Sequence, residues 1–375
     1  MTTARKVDVL LEQAAAVAVR DILAVRKGER VTIVTNPEPD VETISRALFR
    51  QVASQGGEPL LLVQPVKGQL DYADLAVISA LRSEPEVLLS ISHQKLGKDR
   101  EAMADPIRVK RRGKQRYKRY YHVFEYLLEE SKSRSFWSPG VTVDMFTRTV
   151  PIDYGLLQER AAKLGYALSR GEAVTITAPG GTDLVIGIGG RRCRKDDGNF
   201  RKPGSGGNVP AGEVFISPEL GASEGTIAFD GSISSDRGEI MIERPIVCTV
   251  EGGFVGKVSG GDEARRLRET LKRSVKKAES MVAEGSLPPD RGEAFAKNAS
   301  NLGELGIGLN PAARIVGHML EDEKAFRTCH IALGSNYDLD AEALTHLDGL
   351  IREPTVTVRY PSGRERPLLE GGSLL

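Results

Sequence analysis

The stretch "RVTIVTNPEPDVETISRALFRQVASQGGEPLLLV", residues 30–63, decides the architecture of the N-terminal half. It reads as a short apolar strand over "RVTIVTN", an amphipathic helix over "ETISRALFRQVASQGG" closed by Gly56, and a second strand over "PLLLV". Short apolar strands separated by helical segments form βαβ units and a parallel sheet. Working outward, a further helical segment leads to a third strand, "EVLLSIS" at 86–92. Upstream, Val7, Leu10, Leu11, Ala14, Ala18 and Ile22 recur at the spacing of an amphipathic helix. Residues 1–150 are therefore expected to be an α/β domain with a mostly parallel sheet. No GxGxxG turn follows the first strand, which argues against a dinucleotide site there.

After "VPIDYGLLQERAAKLGYAL" (150–168), a connecting helix, the pattern changes. "AVTITAP", "TDLVIGIGG", "GTIAFDGSI" and "GEIMIERPIVCTVEGGFVGKVSGG" are apolar runs punctuated by glycine turns, as antiparallel strands are. One charged helix, "DEARRLRETLKRSVKKAESMVAEG", interrupts them. Residues 151–375 are expected to be an α+β domain with a largely antiparallel sheet. The full length of 375 residues fits two cores.

Charge excludes some functions. The 52 basic and 51 acidic side chains nearly cancel, so net charge steers the chain toward neither nucleic acid nor an anionic membrane. The basic, tyrosine-containing tract "RVKRRGKQRYKRYYH" (108–122) is expected to be a solvated loop or charged helix face, partly compensated by the nearby "EYLLEE". "GIGGR" (187–191) resembles a phosphate loop but leads into no helix, so it is expected to be a turn. Cys193, Cys248 and Cys329 are widely spaced and match no CxxC pattern, and no run reaches the roughly 18 apolar residues of a membrane span. A cytoplasmic setting is expected.

Two of the five histidines, His330 and His346, lie close together in "DEKAFRTCHIALGSNYDLDAEALTHLDG" (322–349), with Asp348 two positions after the second. Imidazole and carboxylate together bind transition metals at neutral pH. Glu213 in "GGNVPAGEVFISP" and Glu304 in "NLGELGIGLNP" stand among apolar residues and glycines. Burying an ionised carboxylate in such company requires a positive partner, and a divalent cation would serve. His93, His122 and His318 have no such context and are expected to be structural.

The ordered pieces "NVPAGEVFISP", "GTIAFDG", "GELGIGLNP", "TCHIALGSNY" and "THLDG" resemble the aminopeptidase T family, the two-metal exopeptidases that include aminopeptidase S. The resemblance is strongest over about 150–360. It implies metal ligation by Glu213, Glu304 as a bridging ligand, His330, Tyr337, His346 and Asp348. Of the acidic pair Asp322 and Glu323, it makes Glu323 a further metal contact or a catalytic base, and Tyr337 a ligand or donor to the reacting oxygen. It further implies two divalent ions (zinc, cobalt or manganese), hydrolysis of short peptides or amino-acid amides at the N-terminal residue, and a homodimer. Arg327 and Thr328 stand where the family often has Gly-Thr, and the segment between His330 and His346 is short. The alternative is a ring-cleaving dihydroxypyridine dioxygenase on the same fold, with His330, His346 and Asp348 as the facial triad of one Fe(II). Glu213 and Glu304 weigh toward two metals, since a mononuclear site would leave them without a cation.

Overall fold

The computed structural model describes residues 3–68, 71–110 and 117–375, with the backbone alone of 3–6. The chain divides into two compact units, Met1–Gln158 with Asp196–Ala211, and Glu159–Lys195 with Gly212–Leu375.

The first unit is built on a five-stranded parallel sheet in the order Gly206–Asn208, Arg134–Trp137, Val87–Ile91, Arg30–Thr35, Glu58–Val63. Val87–Ile91 is buried throughout, as an inner parallel strand covered on both faces must be. The helix Pro39–Ser54 buries Val41, Ile44, Ala47, Leu48 and Val52. It ends where expected, because Gly56 adopts φ +81°. The amides of Gly56 and Gly57 then turn back to the carbonyls of Ala53 and Val52, a Schellman closure.

The N-terminal helix departs from the simple periodicity. Val7 and Leu10 are exposed, and the buried stripe is Leu11, Ala14, Ala15, Ala18, Val19 and Ile22. Thr3–Val17 runs into a π turn at Ala18–Ile22, whose wider period keeps adjacent pairs on the inner face. The basic tract is neither a helix nor a loop where it is described. Ile107–Lys110 pairs antiparallel with Tyr117–Tyr120, and residues 111–116 lie outside the described residues. Lys118 and Tyr120 bond to Glu129 and Glu130, so the acidic run does offset the basic one.

The second unit carries two large sheets. One, of eight strands, includes the antiparallel neighbours Phe254–Ser259, Ile246–Glu251, Ser223–Phe229, Asp183–Gly187, Ala173–Thr177 and Thr355–Arg359. The other, of seven, places Glu213–Ile216, Leu302–Gly308, Thr328–Gly334 and His346–Arg352 side by side, all antiparallel. The charged helix is Asp262–Ala283. "GIGGR" closes a turn, with the Arg191 amide donating to Ile188 O at 3.1 Å. No helix among the described residues is long and apolar enough to cross a membrane. The fold is thus an α/β unit with a parallel sheet and an α+β unit with antiparallel sheets.

Candidate metal centre

The four neighbouring strands of the second unit bring the candidate ligands to one face, and strand periodicity explains how. Side chains two apart share a face, so Glu304, Gly306 and Gly308 point one way, as do His330 and Ala332, and His346 and Asp348. Register then aligns the strands: Glu213 pairs with Gly308, Gly306 with His330, Glu304 with Ala332, and Ala332 with Asp348. Between the ligand candidates stand only glycine and alanine. The spacing in "GELGIG" and "CHIALG" is the spacing of a polar pocket cut into a sheet.

Gly306 shows why the small residues are required. A Cβ there would lie 2.0 Å from His330 Nε2. The absent side chain is the space the imidazole fills.

The donor atoms form two overlapping groups, Glu213–Glu304–His330 and Glu304–His346–Asp348, each with ligand atoms within 4.8 Å of one another. His330 Nε2 lies 3.1 Å from Glu304 Oε1 and 3.3 Å from Glu213 Oε2. His346 Nε2 lies 3.3 Å from both Glu304 Oε2 and Asp348 Oδ1. Glu304 is the member common to both groups. Of the expected facial triad, His346 and Asp348 are grouped with Glu304, while His330 is grouped with Glu213 and the same Glu304.

His346 Nδ1 donates to Ser335 O at 2.8 Å, which turns the other nitrogen toward the carboxylates. Nε2 then faces two anionic oxygens, an arrangement that needs a proton or a cation between them. Glu304 Oε2 and Glu213 Oε2 are buried without a hydrogen bond. Orphaned acceptors beside an oriented imidazole fit a bound metal ion. Burial works against charge throughout, but His346 outweighs it and holds Asp348 at about 2. Burial likewise opposes protonation of His330, yet the bond to Glu304 and the charge of Glu213 lift it to about 9. His346 rises well above the ordinary imidazole range under Asp348 and Glu304.

Of the remaining sequence candidates, Asp322 and Glu323 fall outside the donor groups, and Tyr337 adjoins them. Tyr337 packs its ring on His346 and Phe215, with centroids 5.4 and 5.0 Å apart. Burial and the neighbouring carboxylates push its phenol up, so it stays protonated. Glu323 accepts a bond from Lys324 Nζ at 2.5 Å and joins no donor group. Asp322 is a structural anchor, accepting from Ser232 Oγ at 2.6 Å and from the amides of Val316 and Gly317.

Lys324 is the residue that sequence reasoning missed. It is fully buried, and its ammonium donates to Glu213 Oε1 at 2.6 Å as well as to Glu323. Part of the counter-charge that Glu213 demands is therefore present in the protein itself, although burial still outweighs it and lifts the Glu213 carboxyl to about 8. The lysine of "DEKAF" stands beside acids, a pattern that ordinarily marks the solvated end of a helix. Instead only Met319–Asp322 is helical there, and Glu321, Asp322 and Lys324 are all buried.

A family model described as NicX, 2,5-dihydroxypyridine 5,6-dioxygenase, matches residues 142–333, just over half of the chain. The chain belongs to this family. Two solved structures share its fold over nearly the whole length. 2,5-Dihydroxypyridine dioxygenase from Pseudomonas putida KT2440 superposes with a TM-score of 0.70 at 15% identity, covering 98% of this chain and 97% of its own. AmpT from Thermus thermophilus gives 0.66 at 21% identity, covering 98% and 99%. No curated protein matches in sequence.

The likeness to aminopeptidase T thus holds for the fold alone. The expectation of a hydrolase, an exopeptidase acting on peptides, is corrected by membership of a dioxygenase family. The motifs that suggested it lie on the sheet that carries the candidate centre, and a fold does not specify the reaction.

Proposed function

We propose that this chain is an Fe(II)-dependent dioxygenase that opens a dihydroxylated aromatic ring of the dihydroxypyridine class. The observation that carries the proposal is the dioxygenase family match over 142–333, a span that includes Glu213, Glu304 and His330. Three features of the centre support it.

First, Glu304, His346 and Asp348 offer one imidazole and two carboxylates, a set with one carboxylate in place of a histidine of the usual non-haem iron triad, and in this proposal they hold one Fe(II). Bound there, the metal supplies the one-electron chemistry through which O2 reacts with a closed-shell ring. Second, His330 is fully buried and donates toward Glu304 Oε1, so it orients that carboxylate and leaves Oε2 for the metal. Lys324 supplies Glu213 with a positive partner that it shares with Glu323, so part of the charge a second dication would offset is already met within the protein. The weight Glu213 lent to two metals is thereby reduced.

Third, aromatic surface adjoins the donors. Phe215, Tyr337 and His346 form a continuous group of rings, and Tyr337 is partly exposed. A planar substrate stacks on such a surface, and in this proposal the Tyr337 hydroxyl, protonated at neutral pH, donates to a ring oxygen. Both atoms of O2 end in the opened product and the ring supplies the electrons, so no outside reductant is consumed.

Anaerobic loading followed by metal analysis and oxygen-electrode measurements tests this. The expected result is about one iron per chain and uptake of about one O2 per 2,5-dihydroxypyridine consumed. Iron-loaded protein that takes up no O2 with dihydroxylated pyridines or benzenes would overturn it.

A further inference from the structure

The first unit holds a cavity of about 460 Å³ at the carboxyl ends of the parallel strands Val87–Ile91 and Arg134–Trp137. Ligands of open parallel sheets bind outside the carboxyl ends of the strands, because the loops there are free to carry recognition groups. We propose that this cavity binds a small planar aromatic carboxylate.

Three sets of groups converge on it. Phe124 and Trp137 line one side with their rings 5.9 Å apart at 79°, an edge-to-face corner into which a flat ring fits. Ser90 and Ser92 lie at the strand end, buried, with their hydroxyls 3.0 Å apart. The two hydroxyls carry two protons and spend only one on each other, so one O–H remains for a ligand. Lys95 and Lys98 line the cavity and make no ion pair among the described residues. With Glu125 also at the lining, two ammoniums stand against one carboxylate, a balance that suits a monoanion.

The loop carrying the lysines is held from several sides. Lys95 N donates to Lys67 O, Lys98 N to Asp71 O, and Ala73 N to Lys98 O, at 3.0, 2.8 and 3.0 Å. His122 frames it: Nε2 donates to Gly97 O at 2.9 Å while Nδ1 accepts from Phe124 N at 3.0 Å, so both ring nitrogens are engaged. Gly97, at φ +97°, allows the loop to touch Ala73, whose amide nitrogen a Cβ would meet at 2.5 Å. Cations on a fixed backbone lose little freedom on binding an anion.

Trp137 is the single tryptophan of the chain, so intrinsic fluorescence reports on this cavity directly. Titration of the full-length protein with benzoate should give saturable quenching, and benzamide, its neutral analogue, should bind roughly tenfold more weakly or worse. The double variant Lys95→Gln/Lys98→Gln should weaken benzoate by a similar factor while leaving the emission spectrum of the free protein unchanged. His346→Ala, which damages only the metal centre, should leave quenching intact, separating this site from the proposed catalysis. Absence of saturable quenching, equal binding of benzamide, or benzoate affinity unchanged in the double lysine variant would each overturn the proposal.

Discussion

Gly306 and His330 face each other across two antiparallel strands, and the imidazole occupies the volume that any side chain at 306 would need. This one juxtaposition fixes where His330 can point, and through it the orientation of Glu304.

Gly306→Ala should push the imidazole aside and release Glu304 Oε1. If His330 acts by orienting Glu304, metal affinity should fall by about 10–100-fold, the usual effect of losing an orienting partner. Equilibrium dialysis with circular dichroism as a folding control measures it. Unchanged affinity would mean that the contact has no bearing on metal binding.

Glu304 belongs to both donor groups, whereas Glu213 belongs to one. Glu304→Ala should therefore abolish metal binding and activity in a folded protein. Glu213→Gln should retain about one iron per chain if the centre is mononuclear. A Glu304→Ala protein with full metal content would remove that residue from the centre.

Lys324→Met removes a buried ammonium and strands Glu213 and Glu323. Breaking a buried pair by deleting one partner costs about 3–5 kcal/mol. Adding Glu213→Gln to Lys324→Met should restore part of the loss. Urea denaturation compares the three proteins, and a Lys324→Met variant as stable as the parent would show that these carboxylates find other partners.

Away from the centre, Arg273 grips Asp236 through two bonds of 2.5 and 2.7 Å, aided by Thr270, and holds the carboxyl at about 2. The folded value lies below the ordinary one, so the stabilisation is present above about pH 4 and disappears as pH falls through about 2. Asp236→Asn should cost about 0.5–1 kcal/mol at pH 7, a modest amount because both side chains are partly solvated. The difference between variant and parent should vanish near pH 2. A pH-independent difference would assign the cost to lost packing.

The alternation of apolar strands and helices made both halves of the fold legible, and the recurrence of Glu, His and Asp among glycines marked the metal-binding strands. What could not be read was pairing across the sheet. That His346 and Asp348 close on Glu304 depends on the register through Ala332, which no local pattern encodes. Lys324 escaped for a related reason. A lysine beside two acids ordinarily lies in water, and only the convergence of Glu213 and Glu323 around it makes burial tolerable. The dioxygenase stood only as the alternative because a donor set specifies the class of metal more closely than the bond that is broken.

His346 owes its orientation to the carbonyl of Ser335, and the Ser335 amide bonds to Thr345 O at 2.9 Å. The segment from 336 to 344 is thus pinched off at its base, immediately beside a ligand. Only its tip, around Leu339, stands free, because Arg191 donates to Asp340 and Arg194 to the carbonyl of Tyr337. The tip is thus the place where the border of the centre can be reshaped while the neck that aims the imidazole stays in place.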